Sequence, residues 1–169
     1  MISDDRQQKG LVLDFTVAEN LVLKRHGESP FSTRGFLRVR RAYEFADEAV
    51  RAFAVKTESV RVPVSSLSGV NQQKVVVARE LSRESRLLIA VNPTRGLDVG
   101  ATEYVYDALF AARERGVAIL LISTELDEVM FLSDRIGVMF DGRIRPVLAS
   151  ASDARTTIGQ YMLGRGEVA

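Results

Sequence analysis

The sequence predicts an α/β fold, and three observations carry that reading. RLLIAVN (86–92) and VAILLIS (117–123) are short, nearly continuous apolar runs, the pattern of strands buried on both faces of a parallel sheet. Between them Tyr104, Val105, Ala108, Leu109 and Ala112 recur at helical spacing, so the three segments make one right-handed strand, helix, strand unit. Ahead of that unit, the first half of the chain carries helical periodicity and turn signals.

Taken in order, Thr16 and Glu19 form a capping box, in which each side chain satisfies a backbone N–H at the other's position, and this predicts a short helix over 17–23. The polar stretch HGESPFSTRG reads as a loop. Val39, Ala42, Phe45, Ala46, Ala49, Val50 and Phe53 then recur at helical spacing and predict a long amphipathic helix. RVPVSS, with its proline, is a connector. The next helix begins within SLSGVNQQK and ends near Ser82. The helix between the two apolar runs stops before Gly116, a residue suited to the turn past a helix end. ELDEVMFLS predicts a further helix and RIGVMF a strand. Asp141-Gly142 makes a hairpin turn, and Pro146 places the returning strand, RIRPVLAS, at a sheet edge. TTIGQYML closes the chain as a short helix.

Composition narrows the chemistry. The 169 residues include 23 basic and 22 acidic side chains, so no broad attraction to nucleic acid or anionic lipid is expected. Cysteine is absent, which excludes disulfides and thiol-ligated metals, and the single histidine, His26, lies in the polar stretch KRHGESP and reads as solvated. No stretch approaches the roughly 20 apolar residues that cross a bilayer, and no hydrophobic signal segment opens the chain. A cytosolic setting is the expectation, with any membrane association made through a partner.

The most chemically suggestive stretch is SLSGVNQQKVVVAR (66–79). A helix start leaves backbone N–H groups unpaired and carries partial positive charge, so a glycine-lined one suits an anion such as phosphate. The plainer alternative is a well-capped helix with no ligand.

SLSGVNQQK closely resembles the signature loop of ABC-type ATPases, and it is followed in the family's order by an apolar strand, by NPTRGLDVGA and by LLISTELDEVMFLSDRIGVMFDGRI. The similarity runs from ISDDRQQKGLVLDFTVAENL onward and is strongest to the second nucleotide-binding domain of tandem subunits that drive importers of simple sugars and nucleosides. It implies a partial P-loop NTPase (ABC) domain: a helical arm subdomain over 1–85, and over 86–169 part of a parallel-sheet RecA-like core with a C-terminal hairpin and helix. It also implies that Ser68, Gly69 and Val70, with Gln72, face the γ-phosphate of an ATP held by a partner nucleotide-binding domain, and that Gln73 and Lys74 support the turn. Asp98 matches the D-loop. The implied partners are that second domain and a membrane permease, not nucleic acid, and the implied location is peripheral on the inner face of the cell membrane.

The departures from the family pattern are specific. No GxxxxGK[ST] occurs, so ATP and Mg²⁺ are expected in the parent complex and neither is expected to bind tightly to this chain alone. Val91 and Asn92 stand where active members carry a magnesium-binding aspartate and a catalytic glutamate, and Thr124 stands at the switch histidine. Glu125 beside it reads as an exposed helix start. Val70 replaces a family glycine, and its branched side chain crowds phosphate approach. Met1 falls inside the family pattern, beside the glutamine-loop position matched by Asp4, so an excised piece, a truncation or a degraded gene product is expected. Without the P-loop strand, a free edge beside VAILLIS is expected to recruit a second copy. The contrasting expectation is a catalytically inactive interaction module that docks on a permease or a partner ATPase.

Overall fold

The computed structural model describes residues 1–83, 85–148 and 153–165, and the chain divides into two compact units, Met1–Leu120 and Leu121–Ala169. In the first unit Ile2 forms a parallel bridge to Ala90, and a π-helical turn over Arg6–Gly10 follows, its first amides held by the Asp5 side chain. Helix α1 (Val17–Val22) carries the expected capping box, with Thr16 N donating to Glu19 Oε2 at 2.7 Å and Glu19 N to Thr16 Oγ1 at 3.1 Å. Those bonds from Thr16 hold the Glu19 carboxyl below its ordinary pKa. Asn20 of α1 is fully buried, and its carboxamide both donates to and accepts from the backbone of Val12 at 2.9 Å, which ties down the approach to the helix.

The stretch read as a loop contains a hairpin, β1 (Ser32–Thr33) and β2 (Phe36–Leu37). Arg34 and Gly35 form its turn with φ of +53° and +83°, the left-handed pair that a two-residue hairpin needs. Arginine is not a turn signal at such a position, which is why the sequence did not disclose it. Helix α2 (Val39–Ala52) buries Ala42, Ala46 and Ala49 on one stripe, as its periodicity requires.

Helix α3 (Gly69–Leu81) is the centre of the unit. Val75, Val76, Val77 and Ala78 are consecutive and all essentially buried, so α3 is covered on every side rather than on one face. After it come β3 (Leu87–Val91), α4 (Val99–Glu114) and β4 (Ala118–Ile122), which runs across the division between the units. Ala118 N donates to the Arg86 carbonyl at 3.0 Å, so β3 and β4 begin side by side, as a crossover requires. Helix α4 ends as expected: Gly116, at φ +83°, donates to the Arg113 carbonyl, and Val117 donates to that of Ala112.

One expectation is corrected. The run VAILLIS predicted a strand buried on both faces, yet Ala118, Leu120 and Ile122 are exposed in β4. Among the described residues β4 pairs with β3 alone, so one flank and one face lack the neighbours that would cover them.

The second unit contains α5 (Leu126–Leu132), β5 (Arg135–Phe140), β6 (Arg143–Leu148) and α6 (Ala154–Met162). Asp141-Gly142 forms the expected turn at φ +46° and +71°, and Pro146 lies opposite Gly137 in β6, which pairs only with β5 among the described residues. Ile136, Val138 and Val147 pack on Ala154 and Ile158. Ala149 and Ser150, the expected end of the last strand, lie outside the described residues.

Candidate functional site

Ser68 stands at the start of α3 in extended conformation (φ −60°, ψ 156°) and caps it, accepting from Asn71 N at 3.5 Å and from Asn71 Nδ2 at 3.0 Å. The side chain is exposed, and Gly69 and Val70 beside it are half-buried. As the first residues of a helix, Gly69 and Val70 direct their N–H groups out of the helix end, where the aligned peptide dipoles place positive potential.

The two glutamines hold this turn from below. Gln72 and Gln73 are each 4% exposed. Gln72 Nε2 donates to the Val64 carbonyl at 3.3 Å, and Gln73 Nε2 donates to the Pro93 carbonyl at 2.7 Å, which ties the helix start to the loop that leaves β3. Lys74 Nζ donates to the Ala54 carbonyl at 2.9 Å and lies 4.5 Å from the ring centre of Tyr104. The Tyr104 hydroxyl donates to the Phe53 carbonyl at 2.8 Å, and burial pushes its pKa up to about 12. Asn71 Oδ1 accepts from Lys56 N at 2.8 Å. Every polar side chain from Asn71 to Lys74 is therefore committed to positioning the turn.

Sequence reasoning missed two residues here. Arg6 Nη1 donates to the Arg95 carbonyl at 3.3 Å while its guanidinium lies against Gly69, and Gln7 Nε2 donates to Gln72 Oε1 at 3.2 Å. Both come from more than sixty residues away in the chain, and no local pattern marks them. Arg6 adds a full positive charge beside the helix start, which deepens its preference for an anion.

Val91 and Asn92 lie at the end of β3, with Asn92 in the left-handed region at φ +42°. Neither presents a carboxylate, and among the described residues no group of three or more His, Asp or Glu side chains could hold a metal ion. Asp98 caps α4, accepting from Ala101 N at 2.8 Å. Ser68, Gly69, Val70, Gln72, Val91, Asn92 and Asp98 thus all lie in the first unit, where Gln73 links the start of α3 to the loop after β3. Thr124 falls in the second unit, between β4 and α5, followed by the exposed Glu125.

The chain is 44% identical over 163 residues to the nucleoside import ATP-binding protein NupA of Lactococcus lactis subsp. cremoris, and 44% identical over 166 residues to the guanosine import ATP-binding protein NupO of Bacillus subtilis. It belongs to the ABC ATP-binding protein family. A ribose import ATP-binding protein, RbsA of Oceanobacillus iheyensis, is 39% identical over 163 residues. Each of these alignments covers 96% of this ABC chain and 32% of the relative, so the chain spans about a third of the length of the curated relatives it matches. No family model matches it.

Among solved structures, the ABC chain aligns with the dimeric structure of MJ0796, a bacterial ABC transporter cassette, at a TM-score of 0.68 and 24% identity, over 86% of this chain and 61% of that one. It aligns with MJ1267, an ATP-binding cassette of an ABC transporter, at a TM-score of 0.71 and 20% identity, over 96% of this chain and 66% of that one. The fold is that of part of a P-loop NTPase cassette. The signature resemblance at Ser68 to Lys74 therefore sits in the fold that gives it its family setting.

Proposed function

We propose that this chain serves an ATP-driven importer of simple sugars or nucleosides, as the part of an ATP-binding subunit that presents Ser68, Gly69 and Val70 to the γ-phosphate of ATP held by a partner nucleotide-binding domain. The observation that carries this reading is the start of α3: an exposed serine and two outward amides, set on buried glutamines and flanked by the Arg6 guanidinium. That is a positively polarised surface braced from behind and open in front. The names of the relatives supply the transport setting.

The residues present fit a phosphate arriving from a partner, and they do not fit a complete nucleotide site of this chain's own. No P-loop occurs in the sequence, and valine and asparagine at positions 91 and 92 offer neither an anionic ligand for Mg²⁺ nor a base for water. ATP and Mg²⁺ then belong to the partner's P-loop, and Asp98 crosses toward that partner as the D-loop does. The helical residues 1–85 are the arm that meets the permease, 86–169 the partial core, and the assembly lies in the cytoplasm against the inner face of the membrane. The open flank of β4 is the surface through which the chain on its own pairs with a second copy.

The decisive experiment mixes this chain with a nucleotide-binding domain that carries an intact P-loop and measures ATP turnover. Stimulation that depends on Ser68 supports the reading, and a Val70→Gly variant should stimulate more strongly because it removes the branched side chain from the phosphate's path. Binding without stimulation identifies an inactive docking module instead.

A further inference from the structure

Residues 33–41, TRGFLRVRR, are nine consecutive exposed residues. They hold four arginines, Arg34, Arg38, Arg40 and Arg41, and no acid. Phe36, Leu37 and Val39 among them are 79%, 47% and 49% exposed. Exposed phenylalanine is costly in water, and its combination with a local excess of positive charge has a specific physical match. We propose that the β1–β2 hairpin and the first turn of α2 form a contact with the anionic phospholipid surface of a membrane, independent of any nucleotide chemistry.

The hairpin is built to hold these side chains out. Its register pairs Ser32 with Leu37 and Thr33 with Phe36, and Arg38 N donates to the Phe31 carbonyl at 2.7 Å, closing its base. Phe31 is 1% exposed beneath it and packs edge-on against Phe45 at 5.1 Å between ring centres, with the Arg25 guanidinium over both rings. A mount this fixed loses little freedom on binding. The tip stands in open space: nothing lies within 4 Å of a β-carbon placed at Gly35.

Charge decides the partner. Arg40 and Arg41 share Glu44, each at 2.9 Å, whereas Arg34 and Arg38 make no ion pair among the described residues. Arg34 also occupies a turn position where asparagine, aspartate or glycine is the ordinary occupant, so the turn retains a cation at a conformational cost. An exposed hairpin with Arg34 at its tip, Phe36 and Leu37 on its strand and Arg38 at its base suits a soft surface that admits apolar groups between acidic headgroups. A protein partner would need a concave site matched to each side chain. The near-zero net charge of the chain conceals this patch because residues 33–41 hold four arginines and no acid, with Glu44 beside them pairing only Arg40 and Arg41.

The test is co-sedimentation of the full 169-residue chain with phosphatidylglycerol vesicles and with phosphatidylcholine vesicles, at about 0.1 M salt. The chain should bind the first and not the second. Replacing Arg34→Gly with Arg38→Ser should weaken binding about thirtyfold, since each arginine beside an anionic surface contributes a factor of about five. Phe36→Ser should weaken it about tenfold. Arg34→Gly relieves the left-handed strain, so thermal melting should show that variant at least as stable as the parent. Arg115→Ser, an exposed arginine after α4, should bind as the parent does. Equal binding to both vesicle types, unchanged binding by the hairpin variants, or an equal loss in Arg115→Ser overturns the proposal. So does the absence of binding to protein-free vesicles, which leaves the hairpin as a protein-docking element.

Discussion

The guanidinium of Arg6 occupies the space that a side chain at Gly69 would fill: a β-carbon built on Gly69 falls 2.7 Å from Arg6 Nη2. Glycine there allows the close approach of the arginine tip and answers no backbone need, since Gly69 is not among the residues with positive φ. Gly69→Ala therefore sets two effects against each other, a gain in helix propensity of up to about 1 kcal/mol and the displacement of a flexible arginine tip. The expected net change in stability is close to zero in the parent. In an Arg6→Ala background the same substitution should stabilise by about 0.5 to 1 kcal/mol, because only the propensity gain remains. A double-mutant cycle by chemical denaturation measures this, and additive effects would remove the contact from consideration.

Ser68 is both a helix cap and the proposed hydrogen-bond donor to phosphate, and the two roles separate by substitution. Ser68→Ala should cost about 0.5 to 1 kcal/mol through the lost cap. Ser68→Asp keeps a cap and adds a negative charge that the helix start favours, so thermal melting should be unchanged or raised. The same charge repels phosphate, so stimulation of a P-loop partner should vanish in Ser68→Asp. A variant that melts like the parent and still stimulates would assign Ser68 a capping role alone.

Glu80 anchors the far end of α3. Burial pushes its carboxyl up, but hydrogen bonds from Lys24 and the Met1 ammonium, each at 2.7 Å, and the charge of Arg79 outweigh that effect and hold the pKa below its ordinary 4.5. A carboxyl depressed on folding contributes stability that is fully present above its unfolded value and is lost as pH falls through the lower folded value. Denaturation midpoints should therefore be level above about pH 5 and fall below pH 4.5. Glu80→Gln should flatten that dependence. It should also cost about 3 kcal/mol at neutral pH, because Arg79, 3% exposed, loses its carboxylate.

Leu120 and Ile122 are each 49% exposed on β4. An apolar strand with an open flank pairs with other strands, so the chain should self-associate at concentrations on the order of tens of micromolar. Sedimentation velocity reads this directly, and Leu120→Lys should shift the population toward monomer. A parent chain that sediments as a strict monomer at that concentration would exclude the edge as a site of association.

Elements with a local cause are legible in the sequence. The capping box at Thr16 and Glu19, the helix termination at Gly116 and the hairpin at Asp141-Gly142 each rest on a few adjacent residues, and periodicity marks the helices between them. The signature turn is legible too, because its serine, glycine and glutamines stand together in the chain. The hairpin at Arg34-Gly35 is not, since an arginine held at positive φ contradicts every local preference.

By itself, then, the sequence determined the α/β class and those helices, strands and turns that have a local cause, because short-range hydrogen bonding and spacing encode them, while the family came from the resemblance of its motifs. Tertiary structure alone decided that Arg6 and Gln7 support the start of α3, that Gln73 ties it to Pro93, and that β4 lies exposed despite an apolar sequence. Those outcomes depend on which distant backbone arrives alongside, and burial is a property of the neighbours a residue acquires as much as of its side chain.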